Sequence, residues 1–321
     1  MNVKGLIKRV PLPMAGLMLA LAAAGNLVLS YGEVYRNVLG AISAVLLALL
    51  LAKIIVFPSI AKMELKNPVV ASVFPTLTMG MMLLSTYIKP FAPTFAFGMW
   101  IVSVVGHLAL IVKFTINYLV KVDIKTVFPS WFIVFVGIVV VSVTAPAFEM
   151  QTIGRVFFWL GIVSYFLLLP IVIRKYRSGD TPEPASPTVL IFAAPVALCL
   201  AGYMSSFETK NMLIVWGLLA LSQLSYIFVL TKLPKLLKIK FYPSFSGFTF
   251  PLVISAISLK LTNGFLANSG QGILALKYIV IVEEIIAVLI VLFVLFKYIE
   301  FLIAPSESDM KVPLERPVED K

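Results

Sequence analysis

Residues 242–251 read Tyr242-Pro243-Ser244-Phe245-Ser246-Gly247-Phe248-Thr249-Phe250-Pro251. The first proline opens an apolar run. The second, eight residues on, removes a backbone hydrogen bond from any helix that continues through it. The same opening stands at Val10-Pro11, Asn67-Pro68, Phe128-Pro129 and Ser186-Pro187, so five X-Pro steps recur at intervals of 57, 61, 58 and 56 residues. Pro75, Gly137 and Pro195 supply the second breaker in the middle three runs, and Pro13 with Gly16 takes its place in the first. A period of this kind marks repeated supersecondary units.

Each unit is apolar almost throughout. The 321-residue chain is 60% hydrophobic and 13% charged, and its mean hydropathy of +1.03 lies beyond the range of soluble globular domains. Ten stretches reach the roughly 20 residues that a helix needs to cross about 30 Å of hydrocarbon. They lie near 10–30, 36–57, 68–88, 94–118, 129–148, 153–173, 187–206, 211–231, 243–263 and 274–302. Unbroken runs such as Leu46-Leu47-Ala48-Leu49-Leu50-Leu51 lack the alternation of a membrane β-strand. Lys4, Lys8 and Arg9 ahead of an apolar run ending in Ala22-Ala23-Ala24 resemble a cleaved secretory signal, but that run is also the first member of the repeat, which argues for its retention. The expected fold is an all-α polytopic membrane protein of ten transmembrane helices paired as five hairpins, near 10–57, 68–118, 129–173, 187–231 and 243–302. They form a single transmembrane domain over 1–304, followed by a polar tail, 305–321, of disordered composition.

Lysine and arginine set the orientation. With ten spans, 20 of them fall on the side shared by both termini and six on the other (Arg36, Lys89, Arg155, Lys210, Lys260 and Lys277). Both termini are therefore expected in the cytoplasm, with the protein in the plasma membrane. The net charge of +11 is largely this topological bias and needs no nucleic-acid partner. The single cysteine, Cys199, excludes an intramolecular disulfide and a cysteine-based metal site. No metal-ligand cluster, nucleotide-binding loop or nucleophile–histidine–acid set is present. The chain therefore reads as neither an enzyme nor an ATP-driven pump, and no cofactor is expected. His107, the one histidine, reads as a buried hydrogen-bonding residue.

The prolines sort the helices. They begin the odd-numbered spans, while the even-numbered spans mostly lack internal breakers. The opening prolines suit a first helical turn, where they cost little, and they also place five helix N-termini, attractive to anions, on one side. Pro75, Pro195 and Pro251 sit inside apolar runs and predict helix kinks. Backbone groups freed at membrane depth must be covered by protein or face a water-filled cavity. The odd helices should therefore turn inward around a shared feature.

In Tyr242 to Pro251, together with Pro11 and Gly16, Phe128-Pro129-Ser130-Trp131-Phe132, and Ala193-Ala194-Pro195 with Tyr203, the chain resembles the tellurite-resistance/dicarboxylate transporter family. That family includes bacterial TehA and the plant slow-type anion channels, and the resemblance spans nearly all of residues 10–302. It implies a quasi-fivefold array of hairpins with the odd helices around a central anion pathway, assembled as a homotrimer with one pore per protomer in the lipid bilayer. It also implies an aromatic gate in the ninth helix, where Phe248-Thr249-Phe250 matches and Phe250 takes the gate position. A phenyl ring in a narrow apolar pore blocks water and ions; packing between helices is the alternative use of Phe250.

At helical spacing Gly247, Ile254 and Ile257 share the Phe250 face, and Gly16, Thr76, Gly137 and Ala194 stand at the corresponding level of the other odd helices. These seven are the candidate pore-lining residues, although small residues also serve close helix packing. Glu283 and Glu284 interrupt the apolar tenth span, and intramembrane carboxylates are costly enough to be functional candidates, here for proton coupling. Pairing with Lys277 or Lys260, or a subunit contact, is the alternative. Lys260 itself reads either as an anion attractor at the external mouth or as a snorkelling lysine. The reading is an anion channel or transporter for small inorganic or organic anions. The alternatives are a proton-coupled carrier of dicarboxylates, sulfite or tellurite-type oxyanions, and a membrane receptor without flux.

Overall fold

The computed structural model describes residues 3–120 and 122–304; the polar tail, 305–321, lies outside the described residues. The described residues are helical, with short 3-10 and π turns between and within the helices. The main segments are α1 (Met14–Leu27), α2 (Glu33–Val56), α3 (Pro68–Ile88), α4 (Pro93–Leu119), α5 (Trp131–Phe135 with Gly137–Phe148), α6 (Gln151–Arg177), α7 (Glu183–Ser206), α8 (Met212–Leu236), α9 (Pro243–Asn268) and α10 (Leu274–Ile303). Eight of these, all but α1 and α5, are long and apolar enough to cross a membrane.

Two odd segments depart from the expected continuous helices. Val3–Arg9 and α1 meet at a 92° bend, because Pro11 and Pro13 fall between them. The backbone exposed at the bend is caught by an ion pair whose lysine is buried and whose glutamate is partly exposed. Lys53 donates to the carbonyls of Lys8 and Val10 and to Glu64, while the other Glu64 oxygen accepts from the Leu12 amide at 3.1 Å. α5 is a relay of short α and 3-10 turns through Gly137. The even helices are not free of proline either, since Pro170 lies inside α6 and Pro234 inside α8. Both rings lie on the exposed face of their helices, which continue through them.

The expected kink prolines sit at changes of winding. Pro75 caps the second half of α3, Thr76–Ile88. Pro195 and Pro251 lie in the first turns of the α-helical parts of α7 and α9, Ala194–Ser206 and Thr249–Asn268. Each follows a 3-10 stretch, Glu183–Ala193 and Pro243–Phe248. A proline in a first turn removes no intrahelical bond, so the break lies in the 3-10 turns ahead of it.

Burial separates two layers. Of the best membrane windows in α3, α7 and α9, 61% to 89% of residues are buried, against 28% to 39% in α2, α4, α6, α8 and α10. The inner segments touch in a cycle: α1 packs on α3, α3 on α5, α5 on α7, α7 on α9, and α9 returns to α1. Each outer helix packs on its own hairpin partner and on the next inner segment, α10 closing the round against α1. His107 of α4 ties two inner segments together from outside, with Nε2–H donating to the Val134 carbonyl at 3.1 Å and Nδ1 lying 2.8 Å from the Thr78 hydroxyl. Cys199 is buried in α7 with its thiol free.

Candidate functional site

Three of the five opening prolines, Pro11, Pro68 and Pro243, come together at one end of the bundle. A vestibule of about 530 Å³ there is lined by Pro11 and Pro13, by Glu64, Asn67 and Pro68, by Tyr242 and Pro243, and by Lys125, Phe128, Pro182 and Pro184 from the connectors that lead into the third and fourth repeats. The Asn67 side chain caps α3 by accepting from the Val69 and Val70 amides. Tyr242 donates its hydroxyl proton to Glu183 at 2.9 Å, joining the fourth and fifth repeats at the rim.

Deeper between the inner segments lies a second cavity of only about 30 Å³, room for one or two waters. Its walls include Gly16, Thr76, Gly137, Ala194, Pro195, Gly247, Phe250 and Pro251. Five of the seven candidate lining residues therefore share this cavity with the candidate gate. Ile254 is buried in α9 but does not border it, and Ile257 lines a separate recess at the opposite end beside Asn26, Leu27 and Lys260. Ile254 and Ile257 keep α-helical spacing from Phe250 but lie further along the axis. Each α-helical turn beyond Phe250 climbs about 5.4 Å away from the cavity, whereas Ser246 and Gly247, in the 3-10 turn before it, border the cavity. Pro75 does not border the cavity either.

The remaining wall is apolar. Val73, Met79, Phe132, Ile133, Val136, Ile191 and Leu198 complete it, residues that a comparison of small side chains passes over because they are ordinary core types. Ser246 was also missed, and it is the most informative of them. Its hydroxyl is buried on the cavity wall without a hydrogen-bond partner, whereas the Thr76 hydroxyl is satisfied by the Val73 carbonyl at 2.8 Å. The signal available was its place beside Gly247 in a segment opposite Gly16. A Cβ on Gly16 would come within 3.0 Å of the Ser246 Cβ, and one on Gly247 within 3.2 Å of the Pro187 carbonyl oxygen. The small residues thus serve close packing and border the cavity at once.

Phe250 differs from the phenylalanines beside it. Phe245 and Phe248 pack together, centroids 4.7 Å apart, and Phe245 meets Phe241, which continues to Tyr298 and Phe301 of α10. Phe250 stacks on no aromatic ring among the described residues and is 6% exposed against the cavity.

The two glutamates of α10 separate sharply. Glu284 accepts from Lys260 on one oxygen and from the Tyr31 hydroxyl, at 2.7 Å, on the other. Lys260 also donates to the Leu27 carbonyl and the Ser30 hydroxyl, each at 2.8 Å. Both groups are thereby neutralised in one cluster near the end of the bundle remote from the prolines. Glu283 is 1% exposed and neither carboxylate oxygen has a partner. Alongside it on α8 lie Gln223 and Tyr226, and the Gln223 amide nitrogen, the Tyr226 hydroxyl and the Ser222 hydroxyl are also buried without partners.

The family model described as voltage-dependent anion channel matches residues 10–299. An uncharacterized transporter of Methanocaldococcus jannaschii is 24% identical over 253 residues, covering 71% of this chain and 73% of its own. A second uncharacterized transporter of that archaeon is 24% identical over 224 residues, covering 62% of this chain and 65% of its own.

Proposed function

Because the chain belongs to the voltage-dependent anion channel family, we propose that it passes small inorganic or organic anions through the space between its five inner segments, with Phe250 as the block. It is a multi-pass membrane transport protein. The observation that carries the reading is the narrow cavity at which all five inner segments meet and which the unstacked Phe250 ring borders. A cavity that small and apolar excludes a hydrated ion, and an apolar constriction gates by dewetting. The vestibule forms the approach; Lys125 on its wall supplies positive charge there, and Glu64 on the same wall is paired with Lys53. The Ser246 hydroxyl offers a hydrogen bond to an anion as it sheds water. In this reading the proline end and both termini face the cytoplasm, and the protein works in the plasma membrane as the homotrimer implied by the family resemblance. The test is anion flux in liposomes containing Phe250→Ala.

A second reading, a proton-coupled carrier of dicarboxylates or oxyanions, is favoured by the unpartnered Glu283 carboxylate. An intramembrane carboxylate without a counter-charge is costly to keep and is a candidate for carrying a proton. Glu284, already paired with Lys260, does not share that property. Uptake that follows an imposed pH gradient and disappears in Glu283→Gln supports this reading, and gradient-independent flux in both proteins removes it.

A further inference from the structure

We propose that a cavity between the ends of α6, α7 and α8 binds a phosphate group. It lies at the proline end, measures about 520 Å³ and shares no lining residue with the vestibule or the constriction. Three lysines line it, Lys175, Lys232 and Lys235, against one carboxylate, Glu183, which is occupied by the Tyr242 hydroxyl at 2.9 Å. Tyr176 forms part of the wall, its ring held edge-on between Phe192 and Phe228.

Lys175 carries the argument. It is 4% exposed, and its ammonium donates to the Asp180 carbonyl at 3.0 Å. No carboxylate of the described residues pairs with it. The other fully enclosed lysine, Lys53, has Glu64 for this purpose. A buried ammonium is retained where a counter-charge and further hydrogen bonds complete it, and this one opens on a cavity holding two more ammonium groups. Lysine ammoniums act as point charges for phosphate oxygens, and Thr181 and Thr188 add hydroxyl oxygens to the same wall. The volume accommodates a group with several oxygens rather than a bare halide. Its position at the end of the membrane-spanning helices matches the depth of lipid headgroups, where basic pockets between helices collect phosphodiesters. The phosphate can come from an anionic lipid or from free inorganic phosphate.

The experiment uses the full-length protein in nanodiscs of phosphatidylcholine alone, of phosphatidylcholine with phosphatidylglycerol, and of phosphatidylcholine with added inorganic phosphate. Thermal unfolding and the lipids retained in native mass spectrometry are read in each. Stabilisation in the phosphatidylglycerol arm with retained lipid assigns the site to a headgroup, and stabilisation by inorganic phosphate alone assigns it to the free ion. The variant K232Q/K235Q, which changes two side chains of the cavity wall and leaves Lys175 in place, should weaken binding about 25-fold at roughly a factor of five per charge. K62Q/K66Q removes the same charge elsewhere and should leave affinity unchanged. Stabilisation in neither arm, or equal weakening by both variants, overturns the proposal.

Discussion

Replacing Phe250 with alanine separates a gate from a packing residue. The ring is 6% exposed and borders a cavity of about 30 Å³. Truncation merges the volume of the ring with the existing space and lets water follow. An ion in a dry protein interior carries a penalty of several kcal/mol. If hydration through the enlarged cavity removes about 3 kcal/mol of it, flux rises about 100-fold, at a factor of ten per 1.4 kcal/mol. Stability should fall by about 3 kcal/mol, the low end for a truncated core phenylalanine, because one face of the ring already lacks neighbours. Both quantities are measurable on one preparation: chloride and nitrate efflux from liposomes, and thermal unfolding in detergent. Phe250→Leu should give an intermediate flux. A folded Phe250→Ala protein whose efflux equals that of the parent would refute the gate and leave Phe250 as one more packing residue.

Other perturbations probe the frame and the second reading. Lys53→Met should lower stability by roughly 2 kcal/mol, less than for a fully enclosed pair because Glu64 is partly exposed; the double change with Glu64→Leu should recover part of the loss in thermal unfolding. Gly161 faces Val139 so closely that a Cβ would lie 1.9 Å from its Cγ2. Gly161→Ala should therefore cost about 1–3 kcal/mol by overpacking, and adding Val139→Ala should restore most of it. Glu283→Gln should leave passive anion efflux unchanged and abolish uptake driven by a pH gradient, measured with a pH-sensitive dye inside the liposome; persistence of that uptake would exclude Glu283 as the proton site.

The layered arrangement was legible because proline has a backbone consequence that does not depend on its neighbours. Each Pro pair marks where a helix starts or changes winding, and burial then falls on the marked segments. The level of the cavity was legible through Gly16, Thr76, Gly137, Ala194 and Gly247, since close approach of helices demands small side chains wherever it occurs. The extent of the cavity along α9 was not. From Phe250 onward the helix is α-helical and the spacing holds, but Ile254 and Ile257 stand about one and two turns further along the axis, beyond the short stretch of wall that the cavity occupies. The difference between Glu283 and Glu284 was equally hidden. Adjacent residues on a helix point about 100° apart, and which of them meets Lys260 depends on where α9 and the turn at Leu29–Tyr31 come to rest. The Lys53–Glu64 pair escaped for a related reason, because its main role is to satisfy backbone at a bend that composition does not reveal.

Arg9 donates to the carbonyls of Phe301 and Ala304, so the first and last described helices meet. The inner segments also close on themselves, and a ring of like units has no structural beginning. Circular permutation follows from this. The ends can be joined and the chain opened in the segment 178–182 between α6 and α7, and every hairpin keeps both neighbours. The order of the repeats along the gene is then a record of how the chain is threaded, while the geometry around the axis depends only on which hairpin stands next to which.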